Sequence, residues 1–285
     1  MSPPATGGGI VAADTPLISV VTTVFNGARL LEATLASVQA QTYARVEHWV
    51  IDAGSTDGTV DIIKRHASRL AGWISEPDRG IADGFNKGLE RARGDYIMFL
   101  SADDALAHPR ALEELVAYAR AHAWPDALYG DCDLRDPASG ALLYRVMVDY
   151  DRARFLRGAL VPHPGMLMHR RYFERHGNFD ISFKIAMDYE LFLRGFPQQG
   201  VLRMPGLVTN IGAGGISARS RTLAVEENIR ALRMHGYLGA LSEARLRAVY
   251  AVRGAARRVL ELTGLYRAFD SMRRREARRA AQRSA

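Results

Sequence analysis

The strongest constraint on the fold is an alternation that runs from Leu17 to Tyr129. Short runs of β-branched, aliphatic and aromatic residues are separated by segments in which apolar side chains recur every three or four positions. Residues 17–25, 46–52, 72–75, 95–100 and 127–129 read as strands, and the segments 30–38, 57–70, 80–93 and 108–122 between them as helices. This order predicts an α/β chain with a Rossmann-like, mostly parallel sheet flanked by helices. Several of the strands are near-continuous apolar runs, as burial on both faces requires.

After residue 130 the pattern changes. Residues 130–148 read as a hairpin turning at 137–140, 150–158 as a short helix and 165–168 as a strand. A helix over 188–196, a strand over 201–212 and a long helix over 220–235 follow.

Parallel sheets bind ligands beyond the carboxyl ends of their strands, so the residues found there carry the chemistry. Asn26-Gly27 follows the first strand, Asp52 to Asp57 the second, Asp78-Arg79-Gly80 the third, and Ser101 to Asp104 the fourth. Adjacent carboxylates at Asp103 and Asp104 are hard oxygen ligands suited to Mg²⁺ or Mn²⁺, with substrate phosphates completing the shell. An isolated Asp-Asp pair is more often a solvated loop or a helix cap, but that explanation leaves the other acidic strand ends unexplained. Asp52 can accept hydrogen bonds from a base or ribose. Asp57 is expected to cap the next helix, with Ser55 and Thr56 as rivals. Arg79 can pair with a phosphate or, equally, with Asp78 or Asp83. Asp188 opens a helix, where capping alone accounts for a carboxylate. His163 stands between prolines and reads by itself as a loop histidine.

Cys132 is the only cysteine, so no disulfide forms within the chain; it reads as a small buried apolar side chain. Residues 1–14 lack a basic start followed by an apolar run and do not read as a signal peptide; residues 1–16 are expected to be a flexible lead-in. No stretch is long and apolar enough to predict a membrane span. From Arg245 to Ala285 twelve arginines face three acidic residues, net +9, so residues 1–244 carry −2 of the total of +7. The positive charge therefore belongs to the tail, and the near-neutral body lacks the interleaved basic and aromatic residues of a nucleic-acid surface; no nucleic-acid partner is expected. A dinucleotide-dependent oxidoreductase is disfavoured, because no G-x-G-x-x-G follows the first strand and Gly212-Ala213-Gly214-Gly215 follows a late one.

Over residues 17–237 the chain resembles the family 2 glycosyltransferases of GT-A fold. The likeness is carried in order by ISVVTTVFNG, VIDAGSTDGT, SEPDRGIADGFNKGLERARGDYIMFLSADD, HPGMLMHRRYFERHGNFDISFKIAMDYELFLR and GGIS. The forms SEPDRGI and SADD are similar to the branch associated with bacterial capsule, exopolysaccharide and lipopolysaccharide synthesis. The resemblance implies transfer of a sugar, with inversion, from a nucleoside diphosphate-sugar donor to a hydroxyl of a glycan or lipid-linked acceptor, with Mn²⁺ or Mg²⁺ as cofactor. Thr23, Phe25 and Asn26 would line the nucleotide pocket, with Asp52 on the base or ribose and Asp83 near the nucleotide. Asp103-Asp104 match the family's Asp-x-Asp-type motif, Asp104 as the direct ligand and Asp103 beside it. Asp188 matches the base, and His163 a recurrent histidine on the acceptor side. The chain departs from the family in having Asp52-Ala53 where many members have two acids, and Ala102-Asp103-Asp104 in place of a literal Asp-x-Asp. A non-catalytic nucleotide-sugar-binding protein is the rival, weakened by the presence of both Asp104 and Asp188.

The expected organisation is a catalytic domain over 17–237, divided into a donor half (17–130) and an acceptor half (131–237), followed by a basic helical tail (238–285). Apolar positions over 245–269 interleave with arginines, as in a helix lying on an anionic membrane or packed on the body. The expected location is cytoplasmic, peripheral on the inner face of the cell membrane.

Overall fold

The computed structural model describes residues 15–159, 161–215 and 220–262. The expectations for residues 1–14, for the last residues of the GGIS motif and for the arginine-rich segment after 262 lie outside the described residues. In chain order the elements are β1 (Ile18–Val24), α1 (Leu31–Gln39), β2 (Val46–Asp52), α2 (Thr59–His66), β3 (Gly72–Ser75), α3 (Ile81–Arg91), β4 (Tyr96–Ser101), β5 (Ala105–Leu106), α4 (Ala111–Ala121), β6 (Ala127–Arg135), β7 (Leu142–Val146), α5 (Arg152–Phe155), β8 (Leu167–His169), α6 (Arg170–His176), α7 (Met187–Leu193), α8 (Phe196–Gln199), β9 (Leu202–Gly212), α9 (Arg221–Met234) and α10 (Ala240–Leu262).

The strands form one nine-stranded sheet in the order β3-β2-β1-β4-β8-β6-β9-β5, with β7 paired to β6. From β3 to β4 neighbours run parallel; β8 then enters antiparallel between β4 and β6, and β6 and β9 pair parallel. The strand read over 165–168 is β8, shifted by one or two residues; its antiparallel direction, the two-residue β5 and the helix α6 were not anticipated. All three elements are short, and a two- or three-residue strand has no room for a period.

Alternation along the strands sorts the core. Val21, Ile97 and Phe99 face α3, α6 and α7 in one cluster; Ile18, Val20, Met98 and Leu100 face α4 and part of α1 in another; and Val24 and Val50 meet α1 and α2 in a third. Both faces of β1 and β4 are covered, which explains the uninterrupted apolar runs. Each fully buried Leu, Ile or Phe contributes about 1.5–3 kcal/mol. Helix α3 lies unusually close to β1: a Cβ on Gly88 would sit 2.2 Å from Val21 Cγ1, so only glycine allows the approach. That closeness brings the first turn of α3 to the carboxyl end of β1.

Helix α9 packs on α7. Helix α10 joins the body through Glu243, whose carboxylate pairs with Arg233 and Arg247, through Arg247 to Glu226, and through Leu246 against the main cluster. Among the described residues no helix is long and apolar enough to cross a membrane.

Candidate active site

The strand register gathers the predicted residues on one rim. Val24 of β1 pairs with Asp52 of β2, and Thr23 pairs with Ser101 of β4. Strand β1 has β2 on one side and β4 on the other, with chain order reversing between them, the place where such sheets open a crevice. Thr23 is buried and its carbonyl accepts from the Ala102 N–H at 3.1 Å. Phe25, just beyond the strand, is 65% exposed. Asn26 adopts φ +48°, a left-handed conformation that asparagine tolerates better than most residues. Its Oδ1 accepts from Thr56 N–H (3.0 Å) and its own N–H donates to Ser55 Oγ (2.7 Å), so the loops after β1 and β2 are stitched together. Asp57 accepts from Thr59 N–H (3.1 Å) and from Ala28 N–H (3.1 Å), but it is not the cap of α2 as expected: the cap residue is Gly58, in a left-handed conformation.

Asp52 is fully buried, and its carboxylate is engaged by its own loop. Oδ2 accepts from Gly54 N–H, Ser55 N–H and Ser75 Oγ, and Oδ1 from Ser55 Oγ. It shapes the wall of the crevice, and Oδ1 is the oxygen with capacity for a further donor.

Asp103 and Asp104 sit in the turn between β4 and β5. Asp104 is buried; its Oδ2 accepts from Ser101 N–H at 3.1 Å. Burial first, and the neighbouring charge of Asp103 second, push the Asp104 carboxyl well above the ordinary carboxylate range. Asp103 packs against the end of β9, where a Cβ on Gly212 would lie 2.9 Å from Oδ2. Among the described residues no three His, Cys, Asp or Glu side chains converge as a metal cage. Two adjacent oxygen-donor carboxylates, one of them buried against its neighbour's charge, nonetheless fit a hard divalent cation that takes its remaining ligands from phosphates and water.

Arg79 forms the ion pair that was one of its alternatives. Its guanidinium meets Asp83 Oδ1 at 2.9 Å, and its backbone N–H donates to Asp83 Oδ2 at 3.1 Å. The Arg79 hydrogen bond holds the Asp83 carboxyl below its usual range. Lys184 Nζ donates to the Arg79 carbonyl at 2.8 Å, which ties the segment leading into α7 to the donor side of the crevice.

Asp188 occupies the first turn of α7, half-buried, with Oδ1 accepting from Tyr189 N–H at 2.7 Å. Burial pushes its carboxyl up to about 6. It does not cap the helix: the cap residue is Ala186. The N–H groups of Lys184, Ile185 and Ala186 are instead taken by the buried carboxylate of Glu227 on α9. Glu227 was not singled out in the sequence, although a signal exists. It shares a face of α9 with the buried Ala231, four residues on, where an acid needs a partner.

His163 lies in a loop, as its sequence context suggested, but it is buried rather than solvated. Its ring is only 6% exposed and is surrounded by Phe85, Phe99, Phe179 and Phe192 at centroid distances of 5.5–5.8 Å. Burial lowers its pKa to about 4, so it is neutral, and it joins α3, which carries Asp83, to α7, which carries Asp188. Cys132 is buried as expected, with Thr209 Oγ1 3.0 Å from its sulfur.

Comparison with known proteins decides the family. The model for glycosyl transferase family 2 matches residues 19–177, more than half of the chain. The chain belongs to glycosyl transferase family 2. A "PGL/p-HBAD biosynthesis glycosyltransferase" of Mycobacterium tuberculosis is 28% identical over 227 residues, 79% of this chain and 87% of that one. An uncharacterized glycosyltransferase of the same species is 34% identical over 181 residues, 63% and 68% of the two chains. Among solved structures, S. aureus TarS 1-349 in complex with UDP-GlcNAc superposes with a TM-score of 0.63 at 16% identity, covering 81% of this chain and 70% of that one. This chain spans 41% of the longer TarS structure. Mannosyltransferase PcManGT from Pyrobaculum calidifontis, in complex with GDP-Man and Mn²⁺, gives 0.59 at 18% identity, covering 90% and 84%. The fold is of the GT-A glycosyltransferase type, and the protein is a glycosyltransferase.

Proposed function

We propose that this glycosyltransferase moves a sugar from a nucleoside diphosphate donor to a hydroxyl of a glycan or lipid-linked acceptor, inverting the anomeric carbon, in cell-surface polysaccharide synthesis. The observation that carries the reading is Asp188, a carboxylate desolvated to a pKa of about 6 on a segment anchored to the donor side of the crevice through Lys184. A carboxylate of that strength is suited to a general base near neutral pH. Asp188 takes the proton of the acceptor hydroxyl as its oxygen attacks the anomeric carbon. The bond from that carbon to the diphosphate breaks, and the nucleoside diphosphate leaves with the bonding pair. Asp104 and Asp103 would hold Mn²⁺ or Mg²⁺, which supplies charge stabilisation on the leaving diphosphate. Thr23 and Asn26 line the nucleotide pocket, Phe25 offers a ring to the base, and Asp52 shapes the wall. Arg79, exposed and paired with Asp83, would meet phosphate. His163 supports the acceptor side from the interior. A binding protein without turnover has no use for both a desolvated base and a paired metal motif. The catalytic unit is taken as residues 17–237.

The tail adds a membrane partner to this reading. Helix α10 turns Glu243 and Leu246 toward the body while Leu241, Val249, Val252 and Val259 are exposed. Arginines supply net +9 from residue 245 onward, complementary to an anionic bilayer, and would keep the protein peripheral on the inner face of the cell membrane. The full chain should float with phosphatidylglycerol vesicles and not with phosphatidylcholine vesicles, and the variant Leu241→Glu/Val252→Glu should lose flotation; equal flotation of both proteins removes this partner.

The donor reading is tested by a thermal-shift panel of nucleoside diphosphates and nucleotide sugars with and without Mn²⁺, since a ligand of the folded state raises Tm by mass action. A Mn²⁺-dependent rise for one base, lost in Asp104→Ala, supports it and names the nucleotide. The absence of any shift at millimolar ligand would put the binding and transfer readings aside together.

A further inference from the structure

A helix that carries a catalytic base must hold its first turn still, yet α7 has no side-chain cap of its own. What holds the segment leading into it comes from about forty residues away. On α9, Glu227 is 5% exposed; its Oε1 accepts from Lys184 N–H at 2.8 Å, and its Oε2 from Ile185 N–H at 2.9 Å and Ala186 N–H at 2.8 Å. One turn further along α9, Arg230 stacks on the Phe183 ring at 3.9 Å and donates to Ser182. The two side chains grip Ser182–Ala186 from a single face of α9 and leave Asp188 two residues beyond the grip. A neutral acceptor could cap these N–H groups. A carboxylate does something more, because its charge also acts on Asp188.

We propose that Glu227 is a positioning residue for the reaction: it fixes the chain entering α7 and thereby the direction of the Asp188 carboxylate. The inference goes beyond the donor site and rests on Asp188 being the base. Lys184, the basic neighbour in its own segment, directs its ammonium to the Arg79 carbonyl. Glu190, on the same helix, is paired with Arg194 and with His235 at the end of α9. Glu227 is the charged group whose field raises the Asp188 carboxyl, after burial itself.

Two variants separate geometry from charge. Glu227→Gln keeps the length and removes the charge; Glu227→Asp keeps the charge and shortens the reach. Each is compared with wild type for kcat and KM against pH, and for nucleotide Kd and Tm. Activity needs ionised Asp188, so it falls as pH drops through the Asp188 pKa. Removing the negative neighbour lowers that pKa, and the acid limb of kcat/KM in Glu227→Gln should move to lower pH. In Glu227→Asp the limb should stay in place while kcat falls by up to about 100-fold, the cost of an ångström-scale misplacement. Nucleotide Kd should hold in both. A limb unmoved in Glu227→Gln with kcat within about twofold of wild type overturns the proposal. So does a fall in kcat that tracks a loss of nucleotide affinity, because Glu227 would then serve the fold as a whole. If Asp188→Asn keeps wild-type turnover, it is the reading of the base that fails, whatever Glu227 does.

Discussion

Replacing Asp188 with Asn should make the protein inactive and more stable at once. The stability gain follows from the raised carboxyl. Its pKa of about 6 against 3.8 for the free side chain means that the unfolded chain ionises before the folded one does. A group raised in this way leaves stability intact below the unfolded pKa, and stability is lost as pH rises through the folded pKa. At about 1.36 kcal/mol per pKa unit, the native state gives up about 2–3 kcal/mol by pH 8 but only about 0.5 kcal/mol by pH 4. Asparagine has the same shape, its Oδ1 can still accept from Tyr189 N–H, and it has no charge to desolvate. Thermal melts of Asp188→Asn should therefore run above wild type by roughly 5–10 °C at pH 8 and converge with it toward pH 4. Turnover should fall by about 10²–10⁴-fold, the usual contribution of a general base. Wild-type kcat/KM should drop about tenfold from pH 7.5 to pH 5, where an unshifted carboxyl would leave it nearly flat. Coincident melts at both ends of the pH range would show that the carboxyl is not desolvated, and turnover flat to pH 5 would refute the base by a second route.

Asp104→Asn should lose Mn²⁺-dependent donor binding in calorimetry while the ligand-free protein melts higher, because burial and Asp103 oppose ionisation at this position; normal donor binding in Mn²⁺ would remove Asp104 from the metal site. Phe25→Ala, at a ring 65% exposed, should leave Tm unchanged and weaken nucleotide binding by roughly 5- to 100-fold, the range for loss of one base stack, as read by titration. Gly88→Val should cost about 1–3 kcal/mol by overpacking, seen as a lower denaturation midpoint. An unchanged midpoint would mean that α3 is free to move away from β1.

Much of this was legible without coordinates. The alternation of apolar runs and helical spacings is a local property, and it placed β1 to β4, their helices and the acidic rim within a few residues of where they lie. Because a parallel sheet presents all its strand ends on one side, Asn26, Asp52, Arg79 and Asp103-Asp104 could be grouped from order alone. Tertiary structure decided what depends on neighbours distant in the chain. A period cannot show that β8 runs antiparallel, since three residues contain too little of one. Nor can it show that the Asp52 carboxylate is already engaged by Ser55 and Ser75, or that His163 sits inside an aromatic cage from α3, β4 and α7. The support of Asp188 was the least visible of all. The segment before it is held by Glu227, on another helix, and only the packing of α9 on α7 removes that carboxylate from water and aims it at the backbone it holds.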